Sequence, residues 1–364
     1  MDIFNKLYIK DYSNITDRII SKLNKSLHTQ PNHPLEIIKR EIYSCFGEFT
    51  KYDNLDKVVS IEDNFDKLLI PKDHVSRSKS DTYYVNNEYV LRTHTSAHQN
   101  ELLKQNIKKF LVTGDVYRKD EIDKNHHCVF HQTEGVCIIE NDQDAVKELI
   151  KVINSIVVKL FGQNCKWRWN DDYFPFTDPS FEVEVMYNGE WLEVLGCGIV
   201  QPKILENNGI IGKNAWAFGL GLERLAMILF DIKDIRYFWS NDSKFINQFK
   251  DGKITKFIEY SIQGPISLDI SFWIPKEYIK NKVEWDNVNN FFSLCYEVAG
   301  DIIENIKCID TFYNKNKDIY SKAYRLTYKP IDTKINDPGK LKELTMNIHS
   351  RIVERIKDLG VTLK

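Results

Sequence analysis

Hydrophobic and polar positions change their period along the chain, and each change predicts a different element. Apolar residues recur every three or four positions in stretches that predict amphipathic helices, namely 34–46, 96–110, 142–160 and 221–230. Short runs that alternate or are apolar, separated by proline and glycine, predict strands at 166–169, 181–185, 191–195 and 215–220. Strands joined by hairpins, with helices before and after them, indicate an antiparallel α+β sheet.

The segment 116–135 carries the densest set of functional side chains. Its ends have strand character and its middle, 119–125, is charged without an apolar period, so it predicts a hairpin with a polar loop. Side chains alternate along a strand, which puts Phe130, Gln132 and Glu134 on one face, and Arg118 could lie over the same pocket. Such a wall suits a ligand with a flat ring and an ammonium group. An edge hairpin with a solvated charged tip is the plainer alternative.

A second interpretation of this segment is a zinc site formed by His126, His127, Cys128 and His131. Alternate residues of a strand can chelate a metal. The spacing fits no common zinc pattern, however, and no CxxC or HxxxH partner lies nearby. We therefore disfavour a metal here.

The pattern changes again after a connector at 236–264. Strands are expected at 267–273, 307–313, 323–328 and 361–363, with helices at 285–305 and from Pro338, capped by Asp337, to about 359. The order βαββαβ is that of the ferredoxin-like split unit.

Composition narrows the class of protein. A chain of 364 residues is long enough to form two domains. The net charge of −2 does not indicate a general affinity for nucleic acid, so any RNA contact must come from local basic patches. Seven scattered cysteines fit reduced thiols in an intracellular compartment. No apolar stretch is long enough to span a bilayer, so we expect no membrane association.

Two further motifs offer ligand contacts. The segment 174–180 contains two prolines that stiffen it, so Phe174 and Phe176 could clamp an aromatic side chain edge-to-face, or could simply pack in the core. In the segment 92–96, Ser96 could cap a helix, or His94 and Ser96 could both contact a ligand.

Two glycine-containing motifs point to phosphates. In 216–224 the glycines allow a ligand close to the backbone, and Arg224 in the first helical turn supplies a cation. The motif is no dinucleotide fingerprint, because Arg224 occupies the third glycine position. Glu193, before Gly196 and Gly198, could hold Mg²⁺ bridging phosphates, or could be a buried acid paired with an arginine.

Taken together, these motifs resemble the class II signature regions of phenylalanyl-tRNA synthetase. RTHTS, GDVYRKDEID, FHQTEG, FPFTDPS, EVLGCG and AFGLGLERLAM occur in that order, and ISFW and YRLTY in the tail resemble the ferredoxin-fold anticodon-binding domain of that family. The resemblance covers nearly the whole chain. It implies an α+β fold, with a class II antiparallel sheet flanked by helices and a C-terminal ferredoxin-like domain. The expected domains are an N-terminal extension (1–30), a catalytic domain (31–235), a linker (236–264) and an anticodon-binding domain (265–364).

The family resemblance also implies a role in ATP binding for several positions. Arg118 would bind the α-phosphate and Arg224 would close the other side of ATP, both as catalytic groups. Asp120 would hold the adenine end, although many relatives have glutamate at that position. The remaining ATP contacts would be Phe130 stacking on adenine, His126 near the β- and γ-phosphates, and Glu193 as a Mg²⁺ ligand.

For phenylalanine, the resemblance implies a polar and an apolar end of the pocket. Gln132 and Glu134 would receive the amino group, with His94 and Ser96 near the polar end. Phe174 and Phe176 would hold the ring over Ala217, whose small size admits it.

The expected function is ATP-dependent ligation of L-phenylalanine to tRNA(Phe), with ATP and Mg²⁺ required. A single chain with a tail domain resembles the monomeric organelle type, so a monomer of the mitochondrial matrix is expected, with a plastid-type organelle as the alternative. The acidic N-terminus shows no recognisable leader, and Lys364 ends the chain where several relatives have arginine. Two alternatives are a tRNA-binding paralogue without catalysis and a class II ligase for another amino acid.

Overall fold

The computed structural model describes residues 2–140, 144–187, 189–261, 263–280, 284–333 and 337–364. The α-helices of these ranges are α1 (Asp2–Leu7), α2 (Asp17–Lys22), α3 (Pro34–Ser44), α4 (Ile61–Asn64), α5 (Gln99–Lys104), α6 (Ala145–Phe161), α7 (Pro202–Asn207), α8 (Leu222–Phe230), α9 (Ser243–Ile246), α10 (Val288–Ala299) and α11 (Pro338–Arg355). Among the described residues, no helix combines the length and the apolar character needed to cross a membrane.

The strands form one large sheet, one four-stranded sheet and two small pairs. They are β1 (Thr50–Tyr52), β2 (Val58–Ser60), β3 (Tyr89–Leu91), β4 (Lys109–Tyr117), β5 (Val129–Ile138), β6 (Trp167–Asp172), β7 (Thr177–Tyr187), β8 (Glu190–Val200), β9 (Ala215–Gly221), β10 (Ile266–Pro275), β11 (Ile279–Lys280), β12 (Glu284–Trp285), β13 (Ile303–Asn314), β14 (Ile319–Tyr328) and β15 (Thr362–Leu363).

The large sheet has seven strands in the order β1-β4-β5-β9-β8-β7-β6. All neighbours pair antiparallel except the edge strand β1, which runs parallel to β4. The predicted antiparallel α+β sheet is thereby confirmed, with one parallel pair at its edge. The predicted hairpin is β4 and β5, with Val116 opposite Phe130 and Gly114 opposite Gln132.

Amphipathic helices cover this sheet as the sequence predicts. Helix α6 buries Leu149, Ile153 and Ile156, which lie at helical spacing, and each buried side chain contributes roughly 1.5–3 kcal/mol. Asp144 caps the helix by accepting hydrogen bonds from the backbone N–H groups of Val146 and Lys147. The predicted start at Asp142 lies outside the described residues.

Two predicted helices were too long. Instead of one helix at 96–110, a 3-10 helix at Thr95–His98 leads into α5, and β4 begins at Lys109. Asn106 ends the helical run because its φ of 59° is left-handed. The helix predicted at 285–305 is α10, which ends where Gly300 adopts a φ of 62°. Helix α7 was not predicted at all.

The C-terminal strands form the sheet β13-β14-β10-β15, with α10 and α11 in the order βαββαβ. The predicted ferredoxin-like unit is confirmed. Its core is aromatic, with the Phe291 ring 4.9 Å from that of Tyr324 and 5.8 Å from that of Phe272. Asp337 caps α11 as predicted, by accepting from the N–H groups of Gly339 and Lys340.

Much of the predicted polar connector packs against the large sheet's core. Tyr237, Phe238, Trp239, Phe245 and Phe249 are buried there. The limits of the domains stay a prediction.

A largely buried polar cluster, defined here as Lys22, His127, Tyr296 and Asp301, links the region of the large sheet to the C-terminal unit. Both Lys22 Nζ and His127 Nε2 lie 3.3 Å from the Asp301 carboxylate, and the Tyr296 hydroxyl donates to it at 2.9 Å. The backbone N–H of Ile306 also donates to the Ile122 carbonyl at 3.0 Å. The loop between β4 and β5 is therefore held by the C-terminal unit.

Candidate active site

A cleft of about 630 Å³ opens on one face of the seven-stranded sheet. It brings together most of the predicted site residues, namely His94, Ser96, Arg118, Asp120, Gln132, Glu134, Phe174, Phe176, Glu193 and Ala217. Convergence of polar and aromatic side chains in one large cleft is typical of a ligand site.

Strand register sets the floor of the cleft. Glu134 of β5 stands opposite Gly219 of β9, which in turn stands opposite Gly196 of β8. In the neighbouring row, Ala217 lies between Val136 and Gly198. Small residues therefore leave open space between the Glu134 carboxylate and the far side of the cleft.

The polar end of the cleft centres on Glu134, which is 3% exposed. Burial raises the pKa of this carboxyl to about 7, although hydrogen bonds from Ser96 and Thr95 oppose the rise. Ser96 donates its hydroxyl hydrogen to Glu134. The capping role considered for Ser96 is wrong, because His94 is the N-cap residue of the 3-10 helix and Ser96 lies within it.

His94 lines the same cleft as this carboxyl. Burial, and then the charge of Arg118, lower the pKa of His94 to about 3. Both of its ring nitrogens are buried and neither makes a well-formed hydrogen bond to a described residue, although the Asn64 backbone is near enough to oppose the fall in pKa. Unpartnered buried nitrogens are costly unless a ligand or water satisfies them.

The apolar end is formed by the stiffened segment predicted from its prolines. The rings of Phe174 and Phe176 are stacked, with centroids 5.7 Å apart and an angle of 10° between their planes. The predicted projection of both rings to one side is confirmed. His94 lies 6.5 Å from the Phe176 ring and so connects the two ends of the cleft.

Arg118 supplies a fixed cation. Its Nε donates to the Thr93 carbonyl at 2.7 Å, and its guanidinium lies 5.2 Å from the centre of the Phe130 ring. Burial lowers the pKa of Arg118, whereas Asp120 raises it. Phe130 thus belongs to the site through Arg118, although it does not line the cleft itself.

Glu193 is exposed at the mouth of the cleft, so the alternative of a buried acid is wrong. Partial burial and then the charge of Glu182 raise the pKa of Glu193, with Asp172 and Glu184 adding to the effect and Arg224 opposing it. Carboxylates outnumber cations there. An excess of negative charge suits a divalent cation held by one carboxylate together with phosphates, which is how Mg²⁺ is commonly bound.

Besides Phe130, two more of the predicted ATP contacts, His126 and Arg224, do not line the cleft. His126 lies 2.9 Å from Asp123, which raises the pKa of His126, and it lines a separate small cavity. Arg224 is exposed in the first turn of α8, close enough for its charge to act on both Glu193 and His126.

The histidines considered for zinc have other partners. His131 Nδ1 lies 2.7 Å from the Glu223 carboxylate, and His127 belongs to the cluster with Asp301. Within the described ranges, no three His, Cys, Asp or Glu side chains are placed to share a metal ion.

Comparison with known proteins agrees with this geometry. Residues 19–249 match the family described as tRNA synthetases class II core domain (F). The chain is 43% identical over 369 residues to the chloroplastic/mitochondrial phenylalanine–tRNA ligase of Arabidopsis thaliana. The aligned region covers 97% of this chain and 83% of that protein. It is 39% identical to the mitochondrial enzyme of Mus musculus, covering 99% and 88%, and 38% identical to that of Dictyostelium discoideum, covering 94% and 88%.

The chain belongs to the phenylalanine–tRNA ligase family. It is therefore a class II aminoacyl-tRNA synthetase of the organelle type, as its sequence motifs predicted. Use of ATP and a divalent metal is general to this class.

The cleft of this ligase also contains Asn289, which the sequence patterns did not single out, and two glycines that they did. Asn289 of α10 lines it and donates to Asp81 at 3.2 Å, which brings the C-terminal unit to the mouth of the cleft. Gly196 and Gly219 contribute bare backbone. Asn289 could not be found from spacing, because it lies more than 200 positions from its partner. The glycines at 196 and 198 carried a signal, since paired glycines weaken a strand unless close contacts require them.

Proposed function

We propose that this chain activates L-phenylalanine with ATP and transfers it to tRNA(Phe) for translation in the mitochondrial matrix. One observation carries the proposal: a stacked aromatic pair, a buried carboxyl and a fixed arginine share a single cleft. Relatives named as mitochondrial enzymes support the compartment. A plastid-type organelle is the alternative, given the chloroplastic/mitochondrial relative.

The proposed pose of phenylalanine follows from the two ends of the cleft. Its ammonium group contacts Glu134 and Gln132, with Ser96 holding Glu134 in place and His94 beside the polar end. Its ring lies against Phe174 and Phe176, above Ala217. An ammonium group favours the ionised form of Glu134 and so offsets the cost of burying that charge.

The proposed pose of ATP places its α-phosphate at Arg118. The adenine stacks on Phe130 with its outer edge near Asp120, while Arg224 closes the opposite side and His126 approaches the β- and γ-phosphates. The exposure of Arg224 and the separate position of His126 mean that both must reach ATP from outside the cleft.

In the first step, a carboxylate oxygen of phenylalanine attacks the α-phosphorus, the bond from that phosphorus to the bridging oxygen breaks, and pyrophosphate leaves. The carboxylate is already ionised near neutral pH, so no general base is needed. Arg118 stabilises the charge that develops on the α-phosphate oxygens, and its bond to Thr93 holds the guanidinium in position beforehand.

Glu193 is the proposed protein ligand for Mg²⁺, in company with the phosphates. The bound ion supplies charge neutralisation for the phosphates. The excess of carboxylates around Glu193 supports this assignment.

In the second step, the 2′-OH of the terminal adenosine attacks the carbonyl carbon of the adenylate, the bond from that carbon to the phosphate oxygen breaks, and AMP leaves while the hydroxyl proton passes to a phosphate oxygen or to solvent. Residues 265–364 are the proposed anticodon-binding region. Because the same chain carries both the cleft and the ferredoxin-like unit, we propose that the enzyme acts as a monomer.

Aminoacylation by size-separated protein tests this proposal. The purified chain is fractionated by size, and each fraction is given ATP, Mg²⁺, labelled phenylalanine and a tRNA(Phe) transcript. We expect phenylalanyl-tRNA in the monomer fraction and none with Arg118→Ala. Activity confined to a dimer fraction would overturn the monomeric assignment, and no product in any fraction would overturn the transfer function.

A further inference from the structure

The ring of Phe174 lies directly on the backbone of β8 at Gly196. A Cβ atom added at Gly196 would be 2.8 Å from Cζ of Phe174 and 3.1 Å from its Cε2. Side-chain carbons do not approach one another so closely. The observed position of the Phe174 ring therefore requires that residue 196 have no side chain.

The backbone of Phe174 has little freedom to adjust. Its N–H donates to the Ser180 hydroxyl at 3.3 Å, and its carbonyl accepts from the Thr177 N–H at 3.2 Å. Pro175 follows immediately and fixes its own φ. A methyl group at residue 196 would consequently displace the ring rather than the chain, and Phe176 stacks on one side of that ring.

Gly196 also lies in the row of residues that crosses the cleft. The row runs from Glu134 through Gly219 to Gly196, across two inter-strand spacings, or about 10 Å. One end carries the carboxyl proposed to hold the ammonium group, and the other carries the ring of Phe174. The position of that ring therefore sets the length available to an amino acid side chain.

We propose that Gly196 is a specificity-determining residue of the amino acid pocket. Its bare backbone lets the Phe174 ring recede against β8, which makes room for an aromatic side chain. A methyl group there pushes the ring into the pocket and favours shorter aliphatic side chains. This inference rests on the proposed function, because it assigns the ring of phenylalanine to this end of the cleft.

ATP–pyrophosphate exchange by Gly196→Ala tests the proposal. We expect KM for phenylalanine to rise at least about tenfold, since one methylene in an apolar pocket has an effect of that order. KM for ATP should stay within about twofold, and the ratio of kcat/KM for phenylalanine to that for leucine should fall. The control is Gly264→Ala, an exposed glycine whose added Cβ meets nothing within 4 Å.

A double variant distinguishes the proposed effect of Gly196 on the Phe174 ring from a general structural effect of the substitution. Phe174→Leu removes the Cε and Cζ atoms that a methyl at residue 196 would meet. In the Phe174→Leu background, Gly196→Ala should change KM for phenylalanine less than about twofold. This comparison also covers the case in which the single variant fails to fold.

Three outcomes decide the matter. An unchanged KM for phenylalanine in folded Gly196→Ala would overturn the role of Gly196 alone. A loss of similar size in both backgrounds would also overturn it, because the Phe174 ring would not then carry the effect. Absence of phenylalanine exchange by the unsubstituted chain would instead overturn the proposed function.

Discussion

The Ser96 hydroxyl donates a hydrogen bond to the Glu134 carboxylate, although the two residues stand 38 positions apart in the chain. The bond ties the 3-10 helix after β3 to strand β5 of the large sheet. No ion pair joins Glu134 to a cation among the described residues, and burial accordingly raises its pKa to about 7. A carboxyl with this pKa is partly protonated near neutral pH, and a bound ammonium group would favour its ionised form.

Phenylalanine affinity should fall as the pH drops from about 8 to about 6. An ammonium group binds the ionised carboxyl, and the pKa of Glu134 is about 7. Below that pH the carboxyl must first lose its proton, which lowers the affinity by up to about tenfold for each pH unit. The dissociation constant can be measured by calorimetry without ATP. Glu134→Gln should bind weakly with little pH dependence over this range, and an unchanged slope in that variant would contradict the assignment.

Removing the hydroxyl of Ser96 should move this pH dependence upward. The hydrogen bond from Ser96 lowers the pKa of Glu134, so Ser96→Ala lets that pKa rise further and weakens phenylalanine binding near pH 7. Calorimetric titrations across pH should show a midpoint at higher pH than in the unsubstituted chain. Ser155→Ala, an exposed position on α6, is the control. A midpoint that stays in place would show that the bond does not tune Glu134.

Enlarging Ala217 should close the pocket to phenylalanine. Ala217 lies between Val136 and Gly198 on the floor of the cleft, where added methyl groups of Ala217→Val would occupy the space proposed for the ring. We expect kcat/KM for phenylalanine in exchange to fall about 100-fold or more, while ATP affinity changes little. Unchanged activation kinetics would refute the placement of the ring over Ala217.

The cluster of Lys22, His127, Tyr296 and Asp301 should stabilise the chain within a limited pH range. Burial alone would raise the pKa of Asp301, but Lys22 and His127 hold it well below its ordinary value. Burial likewise opposes the charge on His127, yet Cys128 and Asp301 raise its pKa to about 9. The stability due to Asp301 is lost as pH falls below about 4, and that due to His127 is lost as pH rises from about 6.5 through 9.

Asp301→Asn should therefore lower the free energy of unfolding by about 2 kcal/mol near pH 6, since it removes charge-assisted hydrogen bonds. The loss should shrink toward about pH 9, where His127 is no longer charged. Urea unfolding at several pH values measures this. Asp269→Asn, in an exposed pair with Arg325, should have little effect at any pH. A pH-independent loss would mean that charge on His127 plays no part.

The alternation of side chains along a strand, and the prolines that stiffen one segment, predicted the parts of this site that lie within a single element. Phe130, Gln132 and Glu134 were placed on one face because strand side chains alternate, and Phe174 and Phe176 were grouped by their stiffened segment. The partners of these residues could not be predicted in the same way. The contact of Phe174 with Gly196 depends on how the segment between β6 and β7 packs on the face of β8, which local sequence patterns do not specify.

Long-range contacts also explain what the sequence patterns missed in the fold. Apolar spacing continues past Asn106 and Gly300, but their left-handed backbones end the helices. The sequence offered His127 no partner except in a disfavoured zinc site, whereas it pairs with Asp301, 174 positions away. The connector from 236 onward looked polar, although its aromatic residues pack into the core.

The most direct test of the whole account is ATP–pyrophosphate exchange with each of the twenty amino acids in turn. The account predicts fast exchange with phenylalanine and exchange with tyrosine weaker by about a hundredfold, because an apolar pocket rejects an added hydroxyl only to that extent. Arg118→Ala, shown to be folded by circular dichroism, should abolish both. Exchange with a different amino acid, or with none, would contradict the assignment of the cleft to phenylalanine activation.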